Sequence, residues 1–170
     1  MSSIFSVAQF NILCESLASP EHFPASKKEN LLWNNRKYKI IENIKNLSFN
    51  GEFADILCME ELSSYWEFFK DELGKEPFNY NSCFVKRPSI RESNWSGKVK
   101  LDGCGIFYSS KKFRLIHHHS INFDDSHDRV GLILLLEFIG EHKSNKYIII
   151  AATHLYWNIK KVNEQLGELK

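Results

Sequence analysis

The feature that most constrains the fold is a pair of nearly unbroken apolar runs towards the end of the sequence. Val130 to Phe138 and Tyr147 to Thr153 consist mainly of Val, Ile, Leu and Ala, without regular polar alternation. Strands of this kind are covered on both faces, so the two runs predict fully buried strands. The Gly, Ser and Asn residues between them, over 140–146, predict a hairpin loop.

Other elements follow from the spacing of apolar residues. Helical spacing predicts one helix over 31–47 and another over 65–73, the second with Ser64 and Glu67 as a capping box and Gly74 as its C-cap. This order of strands and helices predicts one α/β or α+β domain with a mixed sheet. The remaining predicted segments are strands over 4–13 (ending near Asn11), 53–59, 102–108 and 113–123, a long loop over 87–100 and a last helix over 161–170.

Length and charge leave several function classes open. The chain has 170 residues, which suffices for one domain with its own core. Lys and Arg total 22 against 21 Asp and Glu, so net charge gives no sign of a nucleic-acid partner. Basic residues do cluster over 86–100. Such a segment is suited to phosphate binding, although a solvated charged loop is the more common case.

The cysteines and the hydropathy pattern indicate in which cellular compartment the protein is expected. Cys14, Cys58, Cys83 and Cys104 have no paired spacing, and three lie in apolar, strand-like contexts. We therefore expect buried thiols in a reducing compartment, and neither disulfides nor a zinc site. The sequence shows no signal peptide and no apolar run of the ~20 residues that span a membrane. We expect an intracellular protein, cytoplasmic or nuclear.

Three polar residues occur at or near the ends of predicted strands: Asn11, Glu61 and His154. Such positions commonly carry active sites, because the sheet fixes the backbone. Carboxylate and amide oxygens suit Mg²⁺, and a histidine is able to hydrogen-bond a phosphoryl oxygen. Each residue alone is more often a cap or a surface group.

Two adjacent glutamates end the segment "DILCMEEL". Side chains alternate along a strand, so Glu60 and Glu61 are expected to point in opposite directions. Strand geometry does not say which of them belongs to a site.

Several segments together resemble a known family. They are "VAQFNIL", Trp33 to Arg36 followed by "ADILCMEEL", "DGCGIFY" followed by "KKFRLI", and "ATHLYWNIKKVNEQLGEL". In this order they resemble the endonuclease/exonuclease/phosphatase (DNase-I-like) superfamily, in the branch of poly(A) deadenylases, nocturnin, Angel proteins and 2′-phosphodiesterases. The resemblance implies a DNase-I-like sandwich of mixed β-sheets flanked by helices, with residues 1–170 as the N-terminal portion of one catalytic domain.

The resemblance also implies roles for individual residues. Glu61 would bind the catalytic Mg²⁺, Asn11 would lie beside that metal, and His154 would contact the scissile phosphate. Tyr156 or Trp157 would lie near the substrate channel, where an aromatic ring stacks on a base, although core packing is an equal alternative. The implied activity is that of a 3′-exoribonuclease on RNA, with poly(A) as the substrate.

The chain departs from the family pattern in ways that bear on activity. Glu60 stands where the family commonly has Gln, and Ile159 replaces a proline. The family's G-D-F-N and S-D-H motifs, which carry the general base, do not occur in these 170 residues. We therefore expect the isolated chain to be inactive. The alternatives are a truncated homologue that serves as a binding module, or a phosphodiesterase on 2′,5′-oligoadenylate, a dinucleotide phosphate or a lipid.

Two further polar clusters have ordinary explanations. His117 to His119 are contiguous and so alternate between faces of a strand, which favours a loop or exposed edge over a metal site. The segment from Asp124 to Asp128 lacks the glycine and final glutamate of a calcium loop and predicts a turn.

Overall fold

The computed structural model describes residues 5–88, 101–124, 128–139 and 146–155. The strands are β1 (Val7–Asn11), β2 (Ser48–Phe49), β3 (Glu52–Phe53), β4 (Ile56–Glu60), β5 (Tyr80–Lys86), β6 (Gly103–Ser109), β7 (Phe113–Asn122), β8 (Val130–Phe138) and β9 (Tyr147–Thr153). The helices are a 3₁₀ turn (Glu15–Leu17), α1 (Lys28–Leu31), α2 (Trp33–Asn46), a π-helical segment (Tyr65–Phe69) and α3 (Lys70–Gly74).

Two sheets face each other. The first has the order β1-β4-β6-β5, in which β1 and β4 are parallel and the other pairs antiparallel. The second is the antiparallel sheet β7-β8-β9, and β2 and β3 form a small separate hairpin. The predicted α/β sandwich with a mixed sheet is therefore confirmed.

Strand β4 is an inner strand of the first sheet, and its sequence is apolar on both faces because each face packs into a separate core. Leu57 and Met59 pack into a core against the helices, whereas Ile56 and Cys58 pack into a second core between the sheets. All five residues of β4 are buried. The outer layer over the first core is formed by α2, through Ile40, Ile41 and Ile44, and by the π-helical segment with α3.

The two apolar runs form the central and outer strands of the second sheet. Leu132, Leu134 and Leu136 of β8 fill the space between the sheets, as the unbroken run predicts. Strand β9 is buried less than predicted. Tyr147 and Ile149 are 52% and 69% exposed, because no described element covers the outer face of this sheet.

The predicted strand 53–59 is divided because Asp55 interrupts it. The buried Asp55 carboxylate accepts hydrogen bonds from the backbone and hydroxyl of Ser6, and it lies 2.7 Å from the Lys112 ammonium. These contacts fix the start of β4, while Phe53 belongs to the hairpin before it.

The capping box at Ser64 is wrong. Ser64 has a left-handed backbone (φ 54°) and no side-chain capping bond, and its carbonyl accepts from the amides of both Phe68 and Phe69. The second of these bonds produces a π-helical turn before α3 begins. Strand β5 was not predicted, because "YNSCFVK" mixes polar and apolar residues without clear alternation.

The four cysteines are free thiols, and Cys14, Cys58 and Cys104 are buried. Burial raises the pKa of the Cys104 thiol to about 12, which makes it a poor nucleophile at neutral pH. No helix among the described residues has both the length and the apolar character needed to cross a membrane. The helix expected over 161–170 lies outside the described residues.

A carboxyl group is buried at one end of the core between the sheets. Glu60, the last residue of β4, is 3% exposed and points to the same face as Ile56 and Cys58. Desolvation raises the pKa of this carboxyl, and a hydrogen bond with the Gln9 side chain partly opposes the shift. Its Oε2 atom has no hydrogen-bond partner among the described residues.

We expect Gly103→Ala to destabilise the fold by about 2 to 3 kcal/mol, because overpacking a strand against backbone forces the chain to move. An added Cβ would lie 1.9 Å from the carbonyl oxygen of Val85 on the neighbouring strand. Gly131→Ala is the matched control, since its Cβ would meet only side-chain atoms at 3.5 Å or more. Urea unfolding of both variants measures the difference; equal losses of stability would contradict this account.

We expect Glu60→Gln to stabilise the chain at pH 8, by about 1 kcal/mol, and to lose this advantage as the pH falls towards 4. The pKa of Glu60 is raised in the folded state, so stability of the original chain falls as the pH rises through the range between the unfolded and folded pKa values. Glutamine carries no charge and escapes this penalty. Urea unfolding between pH 4 and 8, in the presence of a chelator, tests the prediction. A pH-independent difference between the two proteins would contradict it.

Candidate active site

The predicted site residues meet where three strands end. Asn11 is the last residue of β1, Glu61 follows β4, and His154 follows β9. Strands β1 and β4 are parallel, with Asn11 opposite Glu60, so their carboxyl ends lie side by side. The structure thus brings Asn11, Glu61 and His154 together.

Glu61 is held by both of its carboxylate oxygens. Oε1 accepts a hydrogen bond from the Asn11 side-chain amide at 3.0 Å, and Oε2 accepts one from the backbone amide of Cys14 at 3.1 Å. Glu61 has a left-handed backbone (φ 51°), so the chain leaves the strand at this residue. Glu60 and Glu61 separate as predicted, with Glu60 between the sheets and Glu61 at the rim.

The loop after Asn11 is fixed by a half-buried arginine, Arg36. Arg36 on α2 donates to the carbonyls of Ile12 at 2.6 Å and Leu13 at 2.5 Å. Leu13 itself has a left-handed backbone (φ 57°), and its amide donates to the Asn11 side-chain oxygen at 2.9 Å. This explains the Trp33-to-Arg36 segment structurally, because Arg36 ties α2 to the loop that supports Glu61.

His154 lies between a carboxylate and a guanidinium. Its Nε2 is 3.8 Å from Oε1 of Glu61, and its Nδ1 is 3.4 Å from an Nη of Arg87. Arginine has only donors, so Nδ1 accepts and Nε2 carries the proton of the neutral ring. Desolvation lowers the pKa of His154, against the opposing charge of Glu61, and Arg87 lowers it further. The imidazole is therefore favoured in its neutral form.

Arg87 and Asp102 form an ion pair that the sequence did not reveal. Arg87 Nε lies 2.9 Å from Oδ2 of Asp102, which is almost fully buried. An Nη of the same guanidinium reaches the carbonyl of Asp128 at 3.3 Å. In the sequence Arg87 is one of several basic residues over 86–100, and no periodic pattern relates it to Asp102.

Other candidate residues lie elsewhere. His117 to His119 are exposed on β7, at an edge of the second sheet. Tyr156 and Trp157 lie outside the described residues. Asp124 and Asp128, at the ends of the predicted turn, have left-handed backbones.

The donor atoms at this edge fit a hard cation. In the described part of the chain, no group of three or more His, Cys, Asp or Glu side chains forms a metal cluster. Mg²⁺ does not need one, since it is commonly held by one or two carboxylates and several waters. Each oxygen of Glu61 accepts one hydrogen bond from Asn11 or Cys14 and keeps a further lone pair. The Glu61 carboxylate is therefore suited to bind such a cation, with the Asn11 side chain beside it.

Comparisons with known proteins find relatives of this chain. No protein-family model matches the chain. The Ccr4 3′-5′-exoribonuclease subunit of the CCR4-Not complex from Kluyveromyces lactis is 26% identical over 93% of the chain. A CCR4-NOT transcription complex subunit 6-like protein from Danio rerio is 23% identical over 92% of the chain. The chain spans only 21% and 32% of these two relatives.

Solved structures show the same fold. ANGEL2, a 2′,3′-cyclic phosphatase in complex with adenosine-2′,3′-vanadate, matches with a TM-score of 0.74 and 27% identity over 97% of this chain and 45% of its own. The human nocturnin catalytic domain with bound sulfate matches with a TM-score of 0.68 and 26% identity, over 91% of this chain and 52% of its own. In sequence and fold the chain is therefore similar to proteins of the endonuclease/exonuclease/phosphatase superfamily, in the branch of Ccr4, nocturnin and ANGEL2.

Proposed function

We propose that residues 1–170 form the N-terminal portion of a Mg²⁺-dependent 3′-exoribonuclease domain, with poly(A) RNA as its substrate. The observation that carries this proposal is the meeting of Asn11, Glu61 and His154 at one edge of the sandwich. The exoribonuclease activity of the Ccr4 relatives supports the reaction type. Such a substrate agrees with the expected cytoplasmic or nuclear location.

In this proposal Glu61 binds the cation and Asn11 keeps Glu61 in place. The Asn11 amide donates to one carboxylate oxygen, while the Cys14 amide donates to the other. These bonds fix the carboxylate before any metal arrives. Mg²⁺, when bound, supplies positive charge that stabilises the phosphate during in-line attack.

His154 and Arg87 provide the groups that face the phosphate. Arg87 holds His154 through Nδ1, which leaves Nε2–H as the donor towards a phosphoryl oxygen. Asp102 in turn holds the guanidinium of Arg87. A donor that is fixed in advance stabilises developing negative charge without having to reorganise during the reaction.

The proposal does not assign a general base to these residues. In the family, the resemblance places that group in the G-D-F-N and S-D-H motifs, neither of which occurs in the 170 residues. The described residues therefore supply metal and phosphate binding, and water activation requires groups from elsewhere.

A second candidate substrate has one observation in its favour. ANGEL2, whose structure matches this chain with a TM-score of 0.74, is a 2′,3′-cyclic phosphatase. The same carboxylate and cationic groups suit a cyclic phosphodiester. Parallel assays of a longer chain that includes the G-D-F-N and S-D-H motifs, on poly(A), RNA ending in a 2′,3′-cyclic phosphate, 2′,5′-oligoadenylate and a phosphorylated dinucleotide, separate the substrates. If such a chain binds RNA but cleaves none of these substrates, it acts as a binding module.

We expect the 170-residue chain to show no hydrolysis of poly(A) above a Glu61→Ala control, at micromolar protein with Mg²⁺. The reason is the missing general base, which contributes roughly 10²- to 10⁴-fold to such reactions. Gel analysis of end-labelled oligoadenylate measures the products. Turnover that exceeds the control and depends on Mg²⁺ would show that the chain already holds a complete site.

We expect Glu61→Gln to weaken divalent-cation binding at least tenfold, because the amide keeps the shape but loses the charge that binds Mg²⁺. Glu60→Gln is the matched control, since the neighbouring carboxyl is buried between the sheets. Titration with Mn²⁺, followed by electron paramagnetic resonance, compares the two variants. Equal weakening by both substitutions would remove Glu61 from its proposed role.

A further inference from the structure

A second concave site adjoins the Glu61 cluster, on the helix side of the same strand ends. This aromatic cleft has a volume of about 460 Å³ and is lined by Glu15, Ser64, Tyr65, Trp66, Phe84 and Lys86, among others. Ligand-binding clefts commonly fall in the range from about 300 to 1,000 Å³. The volume therefore suits a single nucleotide.

The cleft and the Glu61 cluster share a wall. The Cys14 amide that binds Glu61 belongs to the loop that lines the cleft, and the next amide, of Glu15, donates to the Ser63 hydroxyl at 3.3 Å. Two adjacent basic residues at the end of β5, Lys86 and Arg87, each contact a different one of the two sites. Lys86 lines the cleft, whereas Arg87 contacts His154.

The aromatic wall is rigid and partly exposed. Tyr65 stacks on Phe84 with ring centroids 4.6 Å apart and planes 14° apart, so both rings are fixed. Trp66 packs edge-on against Tyr65 at 4.8 Å, yet it is 62% exposed. The Lys70 ammonium lies 4.6 Å from the centroid of the Trp66 ring. An exposed ring held in place by its neighbours is what base stacking requires.

The charged groups of the cleft constrain its ligand. Lys86 suits a phosphate, while the carboxylates of Glu15 and Glu67 repel one. Those carboxylates are acceptors only, and so they suit the N–H donors of an exocyclic amino group. Adenine and cytosine carry such a group and uracil does not.

We propose that the aromatic cleft is a subsite for an RNA nucleotide next to the scissile phosphate, with Trp66 as the stacking platform and a preference for amino-bearing bases. The proposal rests on the proposed function for its substrate, RNA. It adds residues that the metal-binding cluster does not contain. The base stacks on Trp66, its amino group meets the carboxylates, and its phosphate approaches Lys86.

The test is a binding titration of the 170-residue chain with the trinucleotides of adenylate, cytidylate and uridylate, in a chelator and without metal. We expect adenylate and cytidylate to bind more tightly than uridylate, and Trp66→Ala to weaken their binding at least tenfold. Trp66→Phe retains a ring and should recover most of the affinity. Lys86→Met should weaken binding of the trinucleotides but not of the free nucleosides, which lack phosphate.

Tyr38→Ala provides the matched control, since Tyr38 is 57% exposed and does not line the cleft. It should leave affinity unchanged, and thermal melts should show that all variants fold alike. Equal binding by Trp66→Ala and the original chain would overturn the proposal, as would equal affinity for uridylate. Binding without metal does not depend on hydrolysis. Absence of trinucleotide binding while Mn²⁺ still binds through Glu61 therefore overturns the subsite alone, whereas trinucleotide binding without Mn²⁺ binding overturns the proposed cation site alone. If no trinucleotide binds at all, the cleft is not an RNA subsite and a protein segment becomes its candidate occupant.

Discussion

The two hydrogen bonds that the Glu61 carboxylate accepts connect the ends of β1 and β4 with the loop that follows β1. One comes from the side chain at the end of β1, and the other comes from the backbone of the loop that follows it. Between them they join two parallel strands and a loop whose own residue, Leu13, has a left-handed backbone. A loop in such a conformation persists only when its surroundings hold it, and here Arg36 holds its carbonyls. Without the Glu61 carboxylate, the proposed cation ligand is lost and the Cys14 amide, in the loop that lines the aromatic cleft, loses its hydrogen-bond acceptor.

Burial affects each titratable residue near this edge according to its neighbours. Glu60 lies between the sheets, where desolvation raises its pKa and favours the protonated form. His154 is desolvated too, but its neighbours are Glu61 and Arg87, so its neutral form is fixed in a single tautomer. Asp102 is buried beside Arg87, which offsets much of the cost of burying that charge. In the proposed mechanism Arg87 and the neutral His154 are therefore already in position when the phosphate binds.

The sequence predicted the elements that have a strong periodic signal. Helix α2 and strands β7 and β8 follow from apolar spacing that leaves few alternatives, and Asn11, Glu61 and His154 were recognised because they follow such runs. The misses have two physical causes: a contact between residues distant in sequence, and a local backbone conformation that the residue types do not reveal. Asp55 divides a predicted strand because Ser6 and Lys112 approach it, and neither contact is visible in local spacing. The prediction of a capping box at Ser64 is wrong because Ser64 has a left-handed backbone, and its carbonyl accepts hydrogen bonds from the amides of Phe68 and Phe69.

The Arg87–Asp102 pair shows the same limit at the site itself. Arg87 directly follows β5, a strand that was not predicted, and Asp102 directly precedes β6. Only the pairing of β5 with β6 brings the two residues together. Strand alternation then sends Lys86 and Arg87 to opposite sides of the sheet. Two cations in one dipeptide thus serve two adjoining sites that meet at the amide of Cys14. A ligand in the aromatic cleft that displaced this loop would also alter the bond between Cys14 and Glu61. In the proposed enzyme, binding of the neighbouring nucleotide and placement of the cation ligand are therefore mechanically connected.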